Sequence, residues 1–101
     1  MDSRLYVLVR NLSDVAHNTS SEAVQAGHAV AEWMKTHPGK WNNEYLIYLS
    51  VDSEEDLHRW GSKLERRGLE WVMFHEPDMN NEATALAAVA EKNVFDRLPL
   101  L

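Results

Sequence analysis

Ten consecutive residues, 75–84, hold the densest group of reactive side chains in the sequence. The segment reads His-Glu-Pro-Asp-Met-Asn-Asn-Glu-Ala-Thr, and contains three carboxylic acids, two amides, a hydroxyl and an imidazole. It follows residues 69–74, a largely apolar run that is typical of a buried strand. Pro, Asp and Asn are common turn formers, so one interpretation is a plain turn. The other is a binding or catalytic site, because loops at strand ends often carry function.

Glu76 and Asp78 are separated by a single proline in this segment. Two carboxylates held this close push their pKa values apart, which suits a pair that works as acid and base. The alternative is an acidic turn in solvent that takes no part in catalysis.

A second group of candidate residues lies on the first predicted helix. Spaced three to four residues apart, they share one polar stripe: Ser21, Gln25, His28 and Glu32. A histidine with a carboxylate four residues later can act as a general base with an orienting partner, or simply belong to an exposed helix face. The five histidines of the chain show no metal-ligand spacing, so no structural metal is expected.

The strands that must position these groups are read from apolar runs. Residues 5–9 are apolar throughout, which predicts a strand covered on both faces. Residues 45–51 form the most apolar strand and are predicted to lie centrally, and residues 69–74 form a third strand. Residues 85–90 are ambiguous: alanine propensity favours a helix, whereas a short run after a turn also suits a hairpin strand.

Two helices alternate with these strands. The first is predicted from about Ser20 to Thr36, with Thr19 and Glu22 as a capping box. Its core stripe consists of Ala23, Ala26, Val30, Trp33 and Met34. The second begins after Asp52 or Ser53, and its core stripe consists of Leu57, Trp60 and Leu64. Alternating strands and helices predict an α/β layer sandwich, in which ligands bind at the carboxyl ends of strands.

In the second helix, Gly61 is interpreted as allowing a close approach of the backbone to a neighbour. Gly68 is predicted to end this helix in a left-handed conformation.

The composition limits the possible functions. The chain has 101 residues, enough for a single domain over residues 1–101, and it has no cysteine for a disulfide or thiolate metal site. The sequence contains neither an apolar run of roughly 18 residues nor a signal peptide, so a cytoplasmic protein with no membrane association is expected. The net charge of −6 opposes unaided attraction to nucleic acid.

Three separated pieces of the sequence together resemble one family. The first is a strand that ends in Arg10, and the second is Gln25-Ala26-Gly27-His28-Ala29-Val30. The third runs from Glu76-Pro77-Asp78 to Thr84-Ala85. Their order and spacing are similar to the type II (archaeal and eukaryotic) peptidyl-tRNA hydrolase family, in its bacterial and phage-type branch. The resemblance spans roughly residues 4–98.

This resemblance implies a four-stranded mixed sheet flanked by helices, with residues 84–89 as the fourth strand. It further implies hydrolysis of the ester between peptide and tRNA, without metal or cofactor and often by a homodimer. The implied catalytic residues are Glu76, His28 and Thr84. The implied substrate-binding residues are Gln25, Ser21, Arg10, Asp78, Asn80 and Asn81.

One departure from the family pattern bears on activity. The family usually carries a Gly-Lys pair four to five residues before the motif glutamine, and Ser20 and Ser21 stand there in this chain. Losing such a charged contact costs on the order of 2–4 kcal/mol of transition-state stabilisation. Two alternatives therefore stay open: a binding module of the same fold that holds a nucleotide, an RNA end or a small anion, and a protein-interaction domain that dimerises.

Overall fold

The computed structural model describes residues 3–13, 15 and 21–101. In this part of the chain the main elements are β1 (Ser3–Arg10), α1 (Glu22–Thr36), β2 (Leu46–Val51), α2 (Glu54–Arg66), β3 (Val72–Glu76) and β4 (Glu82–Glu91). Short 3-10 turns, Pro77–Met79 and Lys92–Phe95, follow β3 and β4. The protein is therefore a small α/β domain, as its alternating sequence pattern predicted.

The four strands form one mixed sheet in the order β2-β1-β4-β3. β1 is parallel to β2 and antiparallel to β4, and β3 is antiparallel to β4. The prediction of a central strand at residues 45–51 is wrong, because β2 is an outer strand. Its outer edge is covered by the end of the chain: Ser50 N–H donates to the Pro99 carbonyl (2.8 Å) and Leu101 N–H to the Tyr48 carbonyl (3.1 Å). This covering explains why an outer strand has an interior-like sequence.

The helix that alanine propensity favoured at residues 85–90 is wrong, because this segment belongs to β4. Every residue from 83 to 88 is fully buried. A strand buried on both faces suits small side chains, and burial outweighs the helix propensity of alanine, at most about 1 kcal/mol per residue. The strand that the family resemblance implied at residues 84–89 lies within β4.

The two helices cover opposite faces of the sheet. On one face α1 contributes Ala26, Ala29 and Trp33, which pack with Leu5, Val7, Val9, Ala85 and Ala87. On the other face α2 contributes Leu57 and Leu64, which pack with Tyr6, Leu8, Leu86, Ala88 and Phe95. Each strand at the centre therefore supplies alternate side chains to two separate cores.

The predicted core stripe of α1 is partly wrong. Ala26 and Trp33 are buried as expected, but Ala23 and Met34 are exposed. Gln25, which was assigned to the polar stripe, is completely buried. A buried amide needs hydrogen-bond partners, and Gln25 finds them in Glu76 and Thr84 of the sheet.

The start of α1 also differs from its prediction. The helix begins at Glu22, and the hydroxyl of Ser21 caps it by accepting from the backbone N–H of Val24 at 3.2 Å. The Glu22 carboxylate accepts from the backbone N–H of Leu12 at 2.8 Å and so ties the helix to the segment after β1. Thr19, the predicted cap, lies outside the described residues.

In α2, Ser53 is the N-cap and accepts from the backbone N–H of Asp56 at 3.2 Å. A Cβ atom added at Gly61 would lie 3.0 Å from the ring of Trp71, which confirms the predicted close approach. Gly68 has φ +72°, which confirms its left-handed conformation.

No helix among the described residues is both long and apolar enough to cross a bilayer.

Candidate functional site

The predicted site residues gather at one end of the sheet. β1 and β3 end there and β4 begins there, since β4 runs antiparallel to both. The first turns of the two helices reach the same end. Gln25 of α1 contacts Glu76 at the end of β3, and Glu54 of α2 contacts Ala83 near the start of β4.

A buried chain of hydrogen bonds forms the centre of the site. The hydroxyl of Thr84 donates to Gln25 Oε1 at 2.5 Å, and Gln25 Nε2 donates to Glu76 Oε1 at 2.8 Å. Gln25 and Thr84 are fully buried, and Glu76 is only 7% exposed. The Gln25 amide thus joins two residues that lie far from it in the sequence: Glu76, 51 positions later, and Thr84, 59 positions later. Because each donor meets an acceptor, the orientation of the Gln25 amide is fixed.

A β-bulge places Thr84 within this chain. Phe74 pairs with Ala85, but the next residue of β3, His75, pairs with Ala83, so Thr84 has no partner on β3. Strict alternation would direct Thr84 away from the face that carries Ala85. Instead its hydroxyl bonds to Gln25 of α1, which packs on that same face. The bulge therefore brings two consecutive residues toward α1.

Glu76 accepts hydrogen bonds on both carboxylate oxygens. Besides Gln25 on Oε1, the backbone N–H of Asp78 donates to Oε2 at 3.2 Å. The side-chain bond from Gln25 lowers the pKa of Glu76 most, the Asp78 backbone bond adds to this, burial opposes it, and the charge of His28 lowers it further. Glu76 is therefore an ionised acceptor at neutral pH, and its lowered pKa is caused mainly by hydrogen bonds, with no contribution from a second carboxylate.

The turn after Glu76 is both a structural turn and a wall of the site. Asn80 and Asn81 have φ of +56° and +58°, in the left-handed region that asparagine tolerates better than most residues. Asn81 N–H donates to the Glu76 carbonyl at 3.0 Å, and Met79 anchors the turn in the core. Asp78, Asn80 and Asn81 are exposed. The two interpretations of residues 75–84, a turn and a site, are thus compatible.

His28 lies on the outer side of this group. Its ring stacks on Phe74 of β3, with centroids 4.3 Å apart and planes within 6°. His28 is exposed and lies near enough to Glu76 to lower the pKa of that carboxyl group. Glu32, its predicted orienting partner, approaches Lys35 instead, at 3.8 Å. Stacking on Phe74 is thus the contact that orients the imidazole.

Arg10 is held by a carboxylate that the sequence argument did not single out. Its Nη1 donates to Glu82 Oε1 at 2.8 Å and to the Ala83 carbonyl at 3.2 Å. Glu54 Oε2 accepts from the Ala83 N–H at 2.9 Å. Both backbone groups of Ala83 are therefore bound by side chains. The only sequence signal for Glu54 was its place in the acidic first turn of α2.

The predicted residues thus fall into three sets. Gln25, Glu76 and Thr84 are in direct contact, with His28 beside them. Asp78, Asn80 and Asn81 form the exposed turn. Ser21 caps α1 and Arg10 pairs with Glu82. No three potential His, Asp or Glu metal ligands cluster within the described ranges.

Fold and site together define a class: a small α/β domain with a mixed four-stranded sheet and a buried, ionised glutamate where strands and helix meet. No family model and no curated protein matches this chain.

Proposed function

We propose that this protein is a peptidyl-tRNA hydrolase-like esterase, which cleaves the ester bond between a peptide and tRNA. The observation that carries the proposal is the direct contact of Gln25 with Glu76. These residues belong to two separate sequence pieces that resemble the type II family. They form one hydrogen-bonded unit with Thr84, and the exposed imidazole of His28 lies beside it.

In this mechanism Glu76 orients a water molecule and His28 removes its proton. A carboxylate with a lowered pKa is a weak base but a good acceptor, which suits Glu76 to orienting the water molecule. The water oxygen attacks the ester carbonyl carbon, and the resulting tetrahedral intermediate expels the ribose hydroxyl of the tRNA. The imidazolium returns a proton to this leaving oxygen, so the products are a free peptide carboxyl group and an intact RNA end.

Gln25 and Thr84 act in this proposal by position. Both side chains are fully buried, and their shared hydrogen bond holds the amide that fixes Glu76. In this proposal the amides of Asn80 and Asn81 bind the ester or the terminal ribose and phosphate, and Asp78 accepts from ribose hydroxyls; the exposure of all three residues supports these roles.

The experiment compares turnover of purified peptidyl-tRNA by the wild-type protein and two matched variants. Glu76→Gln removes the negative charge at the site. Glu32→Gln is the matched control, because it removes a negative charge from α1, where Glu32 approaches Lys35. We expect a loss of about 100-fold for Glu76→Gln, the effect of misplacing a reacting group by about 1 Å, and little change for Glu32→Gln. Equal turnover by wild type and Glu76→Gln, with both proteins folded by circular dichroism, rejects the esterase.

A binding module of the same fold is the second candidate, and a specific observation favours it. Ser21, at one of the positions of the family's Gly-Lys pair, uses its hydroxyl to cap α1, and Arg10 is paired with Glu82. The developing negative charge of an ester reaction would therefore lack the lysine on which the family relies. Binding of an RNA end without turnover requires no such contact.

To separate the two candidates, a short RNA ending in an unesterified ribose is titrated against wild type and Glu76→Gln, and thermal stability is followed. A shift with RNA and no ester hydrolysis supports the binding module, and a shift with hydrolysis supports the esterase. The absence of any shift at millimolar RNA counts against the binding module.

Association into a homodimer is a further part of the proposal, carried by the resemblance alone. Light scattering of the purified chain measures it directly, and a strict monomer at working concentration removes it.

A further inference from the structure

A basic groove lies at the opposite end of α2 from the candidate site. It has a volume of about 400 Å³, and its polar and aromatic lining comprises Trp60, Lys63, Arg66, Arg67 and Asn93. α2 starts beside β4 at Glu54, and its 13 residues extend about 20 Å at 1.5 Å per residue. The groove is therefore separate from the glutamate site. Its volume lies within the range, about 300–1,000 Å³, of pockets that hold small ligands.

The charge of this groove contrasts with the rest of the chain. Three of the ten Lys and Arg residues line it, on a protein of net charge −6, and no acidic side chain is among the described residues of the lining. Arg66 and Arg67 form no side-chain ion pair within the described part of the chain, whereas Arg59 on the same helix is held by Glu55 and Asp56.

Two electrostatic effects oppose anion binding here: the dipole of α2 and the acidic side chains of the surrounding surface. The carboxyl end of a helix carries about half a negative charge, which accounts for some basic residues there but does not neutralise three of them. The acidic surface elsewhere is screened beyond about 8 Å at physiological ionic strength. Carboxylates border the groove: Asp56, which pairs with Arg59, lines an adjoining depression with Trp60 and Lys63. Glu91 and Asp96 line another with Asn93. The lining itself carries three cationic side chains and, among the described residues, no carboxylate.

An aromatic ring is fixed at the same place. Trp60 is half-buried and tilts against Phe95, with centroids 5.1 Å apart and planes at 56°. The Lys63 ammonium lies 4.5 Å from the centroid of the Trp60 ring and forms a cation–π contact with it. An indole held against the core, with the guanidinium groups of Arg66 and Arg67 nearby, offers both stacking and phosphate contacts.

The geometry points to a nucleotide-binding site in this groove. The base stacks on Trp60 after Lys63 swings away from the ring, Arg66 and Arg67 bind the phosphates, and the Asn93 amide contacts the base or ribose. Guanidinium groups match phosphate geometry with paired N–H donors, and Lys63 supplies a point charge. A bare phosphate would contact the cations but would not stack on the indole.

The test is calorimetric titration of the full chain with ADP, pyrophosphate and adenosine. We expect ADP to bind more tightly than either of the other two, because it alone engages both the cations and the ring. The double variant Arg66→Ala/Arg67→Ala is expected to weaken ADP binding at least about tenfold, the effect of losing one good charged contact. Arg59→Ala is the matched control on the same helix and is expected to leave ADP affinity within about twofold.

Three results overturn the assignment. They are no heat at millimolar ADP, equal affinity for ADP and pyrophosphate, and an equal loss in Arg59→Ala and the double variant. Trp60→Leu provides a further check: it is expected to reduce ADP affinity and leave pyrophosphate affinity unchanged. If this variant does not fold, the comparison of ADP with pyrophosphate in the wild type still shows whether more than the cations contributes to binding. Glu76→Gln is expected to bind ADP normally, which separates this groove from the glutamate site.

Discussion

Replacing Gln25 with leucine removes both hydrogen bonds that connect Thr84 to Glu76. The Gln25 amide is fully buried, donates to Glu76 at 2.8 Å and accepts from Thr84 at 2.5 Å. Leucine has a similar volume and leaves little cavity, so the variant isolates the hydrogen bonds from packing. It also removes the largest cause of the lowered pKa of Glu76.

The expected loss of stability follows from the two groups that lose a partner, the Glu76 carboxylate and the Thr84 hydroxyl. A hydrogen bond to a charged group contributes about 1.5–3 kcal/mol, and a buried hydroxyl without a partner costs about 1–3 kcal/mol. The apolar leucine side chain returns about 1–2 kcal/mol by its burial. The free energy of unfolding should therefore fall by about 3 kcal/mol at pH 7, the middle of the range of about 0.5–5 kcal/mol that these contributions span. A domain of ordinary stability, about 5–15 kcal/mol, stays folded after such a loss.

The loss should also depend on pH. Because the folded-state pKa of Glu76 is lowered, its ionised form stabilises the fold above the pKa of the unfolded chain. This contribution disappears as pH falls through the folded-state pKa. In Gln25→Leu the pKa of Glu76 rises, so the contribution shrinks or reverses. The stability difference between wild type and variant is thus largest near neutral pH and narrows in acid.

Urea unfolding followed by circular dichroism measures both effects at neutral and acidic pH. Thr84→Val, made alone and together with Gln25→Leu, completes a double-mutant cycle. Thr84→Val should cost less when Gln25 is already leucine, because its acceptor is then gone. The reasoning is refuted if Gln25→Leu costs under about 0.5 kcal/mol at neutral pH, or costs the same at both pH values.

Two further predictions concern the backbone. Gly61→Ala should destabilise the protein by about 1 kcal/mol, since its Cβ would lie 3.0 Å from the Trp71 ring and overpacking outweighs the gain in helix propensity. Gly27→Ala is the matched control, because nothing lies within 4 Å of the added Cβ, and it should stabilise the protein by about 0.5–1 kcal/mol. Urea unfolding measures both variants, and an equal change in stability for the two contradicts this prediction. Asn81→Ala should cost about 1–2 kcal/mol because of φ +58°, and Asn81→Gly should stay within about 0.5 kcal/mol of wild type in the same assay; equal losses would show that φ is not the cause.

The sequence predicts the order of elements well because that order follows from local patterns. The apolar run of β1, the caps and glycines of the helices and the turn after Glu76 are each visible within a few residues. It fails where burial depends on distant partners. The segment that forms β4 is ambiguous in the sequence, because alanine propensity favours a helix and the burial that favours a strand depends on residues far away in the chain. β2 reads as central because the backbone of Pro99 covers its edge.

The site shows the same division between local and distant information. Glu76 and His28 are recognisable as polar residues in informative positions, and the exposed turn follows from its residue types. Burial of Gln25 is not predictable from helical periodicity, which assigns any glutamine to the polar face. The side to which Thr84 points depends on a bulge opposite His75, and a single bulge reverses the alternation on which strand patterns depend.

The bulge also explains how one short segment joins both helices. Ala83 donates its backbone N–H to Glu54 of α2, and Thr84 donates its hydroxyl to Gln25 of α1. Two adjacent residues of β4 are thus bound to helices on opposite faces of the sheet. Because the hydrogen bond from Gln25 is the largest cause of the lowered pKa of Glu76, the pKa of that carboxylate depends on how α1 docks against the sheet. Any movement of α1 away from the sheet would therefore raise the pKa of Glu76 and turn a fixed acceptor into a stronger base.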